Sequence, residues 1–225
     1  MPEPGAVKTV RNWKCLGSTK RAAAVPSLVA YRNIGTDREN MLWGFEVDAA
    51  IQRQAMRSDE SDDVDNSLKG TRMERFKLAL SNSRETKDAR TNVLEKLRRL
   101  KPRRTENGGV LRMKPEDIVA GYLQSLFKNA LAEAALTMTD TVKDYPAKCI
   151  ICIPAIWSQV EECRLRTAAK IAKLPPIQVV SEPEAAFVYW LMQESHTRQP
   201  NISQGTTNAA RVEGRIEACL ASSQC

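Results

Sequence analysis

The stretch CIICIPAIWSQ, Cys149–Gln159, decides the fold. Five apolar residues in a row, stopped by Pro154, predict a strand, and near-continuous hydrophobicity predicts burial on both faces, as in a parallel sheet. Ser158-x-x-Glu161 is a capping box that opens a helix running to about Lys173, and Pro175-Pro176 ends it. Ile177–Val180 is the next buried strand. Ser181-x-x-Glu184, with Pro183 in the first turn, starts another helix, which carries Ala186, Phe187, Trp190 and Leu191. Strand and helix alternate, the grammar of an α/β layer.

Upstream, Pro115 suits a first helical turn, and Glu116 and Asp117 favour its positive end. Ile118, Tyr122, Leu126 and Ala130 form one row and Val119, Leu123, Phe127 and Leu131 the next, which predicts a packed helix of about five turns. Val25–Tyr31 and Met41–Val47 read as strands joined by a hairpin loop, RNIGTDREN. The acidic run Ser58–Asp65 reads as a loop. Helical periodicity restarts at Met73, Phe76 and Leu80, and Val93, Leu94, Leu97 and Leu100 line one more short helix before Pro102 and Gly108-Gly109 break the chain. After Ser195 the sequence is polar and poorly periodic, the composition of a poorly ordered tail, with the chain's one histidine, His196, at its start.

A chain of 225 residues with 42% apolar and 27% charged residues is globular in composition. Lys and Arg number 34 against 27 Asp and Glu, a net charge of +7. Much of that excess sits in Arg98–Arg104, RRLKPRR, whose expected role is a solvated helix end and loop. No aromatic platform or known module marks a nucleic-acid reader, so nucleic acid is not an expected partner. No signal-peptide-like run opens the chain, and no apolar run approaches the roughly 18 residues of a spanning helix. A cytoplasmic location without membrane contact is therefore expected. Cys149 and Cys152 have C-x-x-C spacing, but residues three apart on a strand face opposite ways and cannot chelate together. Free or buried thiols are expected.

Three pieces in order, VPSLVAY…MLWGFEV, ICIPAIWSQ and VVSEPEAAF (Val179–Phe187), resemble the nucleotide-binding domain of the heat-shock 70-kilodalton chaperone superfamily. The Trp in IPAIWS and the string Ser-Glu-Pro-Glu-Ala-Ala look most like its divergent, actin-like ATPase branch. The resemblance covers about residues 10–194. It implies an incomplete ribonuclease-H-like first lobe: an N-terminal segment, 1–24; a peripheral α+β subdomain, 25–110; a partial α/β core, 111–194; and the tail, 195–225.

ATP and magnesium are the implied cofactors. The resemblance places Glu182 at the cleft, acting on the metal through water, offers Lys77 as the lysine that positions an attacking water, and makes Pro154 a switch between lobes. The residues alone also allow Glu182 to be a helix-start charge, Lys77 an exposed helix lysine and Pro154 a strand terminator. The family's two phosphate loops, D-x-G-T-T and D-x-G-G-G-T, have no counterpart; the tail offers Gln204-Gly205-Thr206-Thr207. Without those loops autonomous hydrolysis is expected to be weak or absent, since phosphoryl transfer rests on phosphate donors and a metal. Two alternatives stand beside this ATPase fragment. One is a non-catalytic interaction module that pairs a protein partner along an exposed sheet edge. The other is a basic nucleic-acid-binding protein.

Overall fold

The computed structural model describes residues 10, 13, 24–32, 41–56, 67–100, 103–104, 110–137 and 148–197. Two units divide at Ser181 and Glu182. The hairpin loop after Arg32, the acidic run, Pro102, Gly108-Gly109, Gln204–Thr207 and most of the expected tail lie outside the described residues.

Within the first unit, β1 (Leu28–Tyr31) is the centre of a three-stranded antiparallel sheet of order β2-β1-β3, with β2 at Met41–Trp43 and β3 at Met73–Glu74. All four residues of β1 are buried, because both faces are covered. Leu28 and Ala30 pack with Leu42, Val47, Ala50 and Leu68 from β2 and the helices α1 (Phe45–Ala55) and α2 (Ser67–Thr71). Val29 and Tyr31 belong to the main core, with Trp43, Met73, Phe76, Val93, Ile118 and Tyr122. Where β3 stops short, the Thr71 hydroxyl takes over: it accepts from Tyr31 N at 3.1 Å and lies 2.8 Å from the Tyr31 carbonyl.

Three expected elements change here. The strand Met41–Val47 ends at Trp43, and Phe45–Val47 instead begin α1. Gly44 makes the switch at φ +56°, ψ −132°, donating to the Leu28 carbonyl at 2.8 Å. Met73 is not helical: it pairs with Val29, and a 3-10 turn, Phe76–Leu80, follows after Arg75 at φ 51°. A helix-like spacing over so short a run was outweighed by the edge of β1, which needed a partner. The expected short helix is α3 (Lys87–Arg99), with Val93 and Leu97 buried.

A two-residue hairpin, β4 (Arg103–Arg104) with β5 (Val110–Leu111), leads to α4 (Pro115–Thr137). At 23 residues α4 is longer than expected, yet only its first half is core: Ile118, Val119, Ala120 and Tyr122 are buried, whereas Leu131 and Leu136 are exposed. Trp43, Phe76 and Tyr122 meet edge to face, with ring centroids 5.1–5.9 Å apart for each pair that Tyr122 makes. Burial pushes the Tyr122 hydroxyl above its ordinary pKa.

β6 (Cys149–Ile153) and β7 (Ile177–Ser181) pair in parallel, with Cys149 opposite Ile177 and Ile153 opposite Ser181. Between them runs α5 (Gln159–Ile171), whose Leu165 and Ala168 enter the core. The parallel pairing agrees with the sequence reading; burial on both faces does not. Ile150 is 58% exposed and Cys152 and Gln178 are exposed, while Ile153 is buried. A two-stranded sheet with its inner residues on the core leaves its alternate residues outside. α5 ends in a Schellman motif, Leu174 N to Ala169 O and Lys173 N to Lys170 O, which puts Lys173 at φ 56°.

The second unit begins with α6 (Glu182–Thr197), whose Phe187 and Trp190 rings stack at 6.1 Å. Its Pro183 falls in the first turn, as read from the sequence. Helix extends through Thr197, past the expected onset of the tail at residue 195.

Two substitutions test these backbone positions. A Cβ on Gly44 would lie 2.5 Å from Val25 Cγ2, on a backbone that side chains rarely adopt. Gly44→Ala should therefore lower stability by about 1–3 kcal/mol. Lys173→Gly should raise it by about 1 kcal/mol, because the left-handed cap no longer carries a Cβ. Urea midpoints with unchanged m-values check both.

Candidate functional site

At the carboxyl end of β6 the chain turns sharply: Trp157 N donates to Pro154 O at 3.1 Å, and the indole is drawn into the core. Lys77, from the 3-10 turn, arrives at the same place. Its Nζ donates to the Cys152 carbonyl at 3.2 Å and stands 5.2 Å from the centre of the Trp157 ring. An ammonium over an indole face gains cation–π attraction, and a carbonyl at a strand end supplies a second anchor. Two of the three sequence-predicted site residues, Lys77 and Pro154, are thus brought to one strand end. The third, Glu182, is the first residue of α6, in the second unit.

Behind this corner lies a carboxylate whose full role the sequence concealed. Glu161 is buried. Its Oε2 accepts from Ser158 N at 2.9 Å and from the Ser158 hydroxyl, while Ser158 Oγ accepts from Val160 N, so the capping box is complete. Its Oε1 accepts from Asn82 N at 3.1 Å and Ser81 Oγ at 3.4 Å. One carboxylate therefore caps α5 and ties it to the loop after the 3-10 turn. The Ser158 hydrogen bond first, then that from Asn82, hold its pKa down at about 2.

One turn on, Arg164 Nε donates to Glu116 Oε1 at 2.6 Å and Arg164 Nη1 to Leu80 O at 2.6 Å, joining α5 to α4 and to the same loop. Burial opposes ionisation of Glu116, but the Arg164 hydrogen bond and charge, with help from its own backbone and Lys114, hold its pKa below the ordinary value.

The thiols behave as expected from strand geometry. Cys149 is half-buried and Cys152 exposed, both free, and burial pushes the Cys149 thiol up. Among the described residues no cluster of three or more His, Cys, Asp or Glu could hold a metal ion, and no helix is long and apolar enough to cross a membrane. No family model matches the chain, and no curated protein matches it.

What the corner can do chemically is hold a fixed positive charge at the carboxyl end of a parallel strand, the side on which open α/β sheets bind ligands. Sequence reasoning found Lys77 through the resemblance but missed its Trp157 platform. It found the capping box but not the bond to Ser81 and Asn82, because nothing local announces a partner some 80 residues away.

The cross-link predicts a pH dependence. Glu161 has a folded pKa of about 2 against an ordinary 4.5. Its stabilisation is complete above the unfolded pKa and is lost as pH falls from about 4.5 towards 2, where the unfolded chain binds the extra proton. In Glu161→Ala, stability measured by urea titration should be lower at neutral pH and should fall less steeply across that window.

Proposed function

We propose that the chain is a partial first lobe of the heat-shock-70-type, actin-like ATPase kind, on a ribonuclease-H-like core, with weak nucleotide binding and little or no hydrolysis of its own. The observation that supports this most is the Lys77–Cys152 contact. It brings a lysine that follows the peripheral strands to the carboxyl end of a core strand, two residues before Pro154, where the resemblance implies the nucleotide cleft. In this reading Lys77 supplies positive charge and Pro154 shapes the turn through which movement would pass. Glu182 would face the metal through water.

Among the described residues no side chains build a magnesium site by themselves, so a metal near Glu182 is what the resemblance alone implies. The two glycine-containing loops have no counterpart in the sequence, and no cluster of metal ligands stands among the described residues. No hydrolytic step is therefore assigned to this chain.

A thermal melt with and without magnesium-ATP tests the reading. A ligand that binds the folded state alone stabilises it by about 2.7 kcal/mol at a hundredfold excess over its dissociation constant. The expected result is an upward shift for the wild-type chain and a much smaller one for Lys77→Ala, each compared with its own nucleotide-free melt. A cooperative melt that millimolar magnesium-ATP leaves in place would overturn nucleotide binding. Efficient hydrolysis that vanishes in Glu182→Gln would overturn the claim of inactivity.

A second reading, a non-catalytic interaction module, is favoured by the β6–β7 pair, which is two strands wide and leaves Ile150 exposed. Concentration-dependent association in sedimentation velocity, insensitive to ATP and weakened by Ile150→Lys, is its expected signature.

A further inference from the structure

Four lysines gather at one end of the α/β layer. α4 and α5 lie side by side and run the same way: Arg164 Nε meets Glu116 Oε1 at 2.6 Å, and Gln124 Nε2 donates to the Ala172 carbonyl at 3.4 Å, each across an offset of 48 residues. Lys128, one turn past Gln124, therefore comes to the level where α5 ends. Lys170 is in the last turn of α5, and Lys173 follows its cap. Pro175-Pro176 lead from there into Ile177, which pairs with Cys149, so Lys148 stands at the same end. All four lysines are exposed, and no ion pair among the described residues uses them.

Apolar side chains accompany this charge. Counted from Lys128, the exposed residues Leu131, Ala132, Ala135 and Leu136 fall at i+3, i+4, i+7 and i+8, the spacing of one helix face. Leu136 is 83% exposed, and Ile171, beside Lys170, is 47% exposed. Glu133, the carboxylate of this half of α4, is half-buried.

The combination narrows the partner. A nucleic-acid backbone would take the charges and leave the leucines in water. A small anion needs convergent donors, whereas these lysines spread over the ends of α4, α5 and β6. Lysine is a compact charge on an apolar stem, and such a side chain can lie along apolar material with its ammonium at the polar boundary.

We propose that this end of the layer docks on the surface of an anionic bilayer, with the end of α4 entering the interface and the lysines meeting the headgroups. Leu136 lies eight residues past Lys128, about 12 Å along the helix axis, against the roughly 5–10 Å to which interfacial helices bury their apolar faces. Among the described residues no helix can cross a bilayer, and a surface contact needs none.

The test is cosedimentation of the full chain with phosphatidylcholine vesicles, with and without about one-third phosphatidylserine. Binding should need the phosphatidylserine. Each lysine at an anionic surface is worth roughly fivefold in partitioning, so the double variant Lys170→Ala, Lys173→Ala should bind roughly 25-fold more weakly. The corresponding Lys→Arg pair should keep the binding. Leu131→Ser with Leu136→Ser should weaken it by at least about tenfold.

A charge-matched control, Lys69→Ala with Lys87→Ala, removes exposed cations of α2 and α3 and should leave binding in place. Circular dichroism checks that each variant is folded. Absence of vesicle binding, equal binding to vesicles without phosphatidylserine, or equal losses in patch and control variants would overturn the proposal. So would binding that the leucine variant leaves unchanged, because charge alone would then account for it. Lys77 has no part in this surface and the assay contains no ATP, so failure here leaves the nucleotide reading in place.

Discussion

The placement of α5 depends on one buried carboxylate. A charged group taken out of water is tolerated only if its oxygens are hydrogen-bonded, and Glu161 has partners on both: Ser158 on one, Ser81 and Asn82 on the other. Those partners lie on two chain segments that sequence separation alone would leave apart. With the start of α5 fixed against the 3-10 turn, Leu165 and Ala168 enter the core, and Arg164 reaches Glu116 and the Leu80 carbonyl. Removing the carboxylate would leave the Asn82 amide without its acceptor as well as opening the cap, which is why this position matters more than an ordinary helix start.

From that anchor the asymmetry of the β6–β7 pair follows. Its inner residues, Ile151, Ile153 and Val179, pack on the main core, while Ile150 and Cys152 face outward. Two strands gain little from their mutual hydrogen bonds unless something covers one face; here α5 and the aliphatic core do so. The carboxyl end of β6 is then held from two sides, by the Pro154–Trp157 turn and by Lys77. A lysine whose ammonium is already engaged with a carbonyl and an indole is a charge with a fixed position. That is useful for orienting an anion and poor for long-range attraction.

The same physics explains what could be read from the sequence. The strands Cys149–Ile153 and Ile177–Val180, the Ser158–Glu161 box and the start of α4 at Pro115 were legible because each is set by neighbours within a few residues. Met41–Val47 was misread because its apolar pattern continues past Trp43, whereas the chain's direction is decided by Gly44, which accepts a positive φ that other residues resist. Met73 was misread because the need that claims it belongs to Val29, more than forty residues earlier. Exposure of Ile150 escaped notice for a different reason: hydrophobicity shows what a strand could bury, and the number of layers actually covering it is a property of the whole sheet.

Charge is divided between groups the fold engages and groups it leaves at the surface. Lys77 and Arg164, both partly buried, are engaged by the fold itself, on carbonyls, an indole or a carboxylate. Arg98, Arg99 and Arg112 are exposed and unpaired within the described residues. Salt in the range of a few hundred millimolar screens exposed charges strongly and enclosed pairs much less. Raising salt therefore weakens attraction to those exposed arginines more than it weakens the Arg164–Glu116 pair.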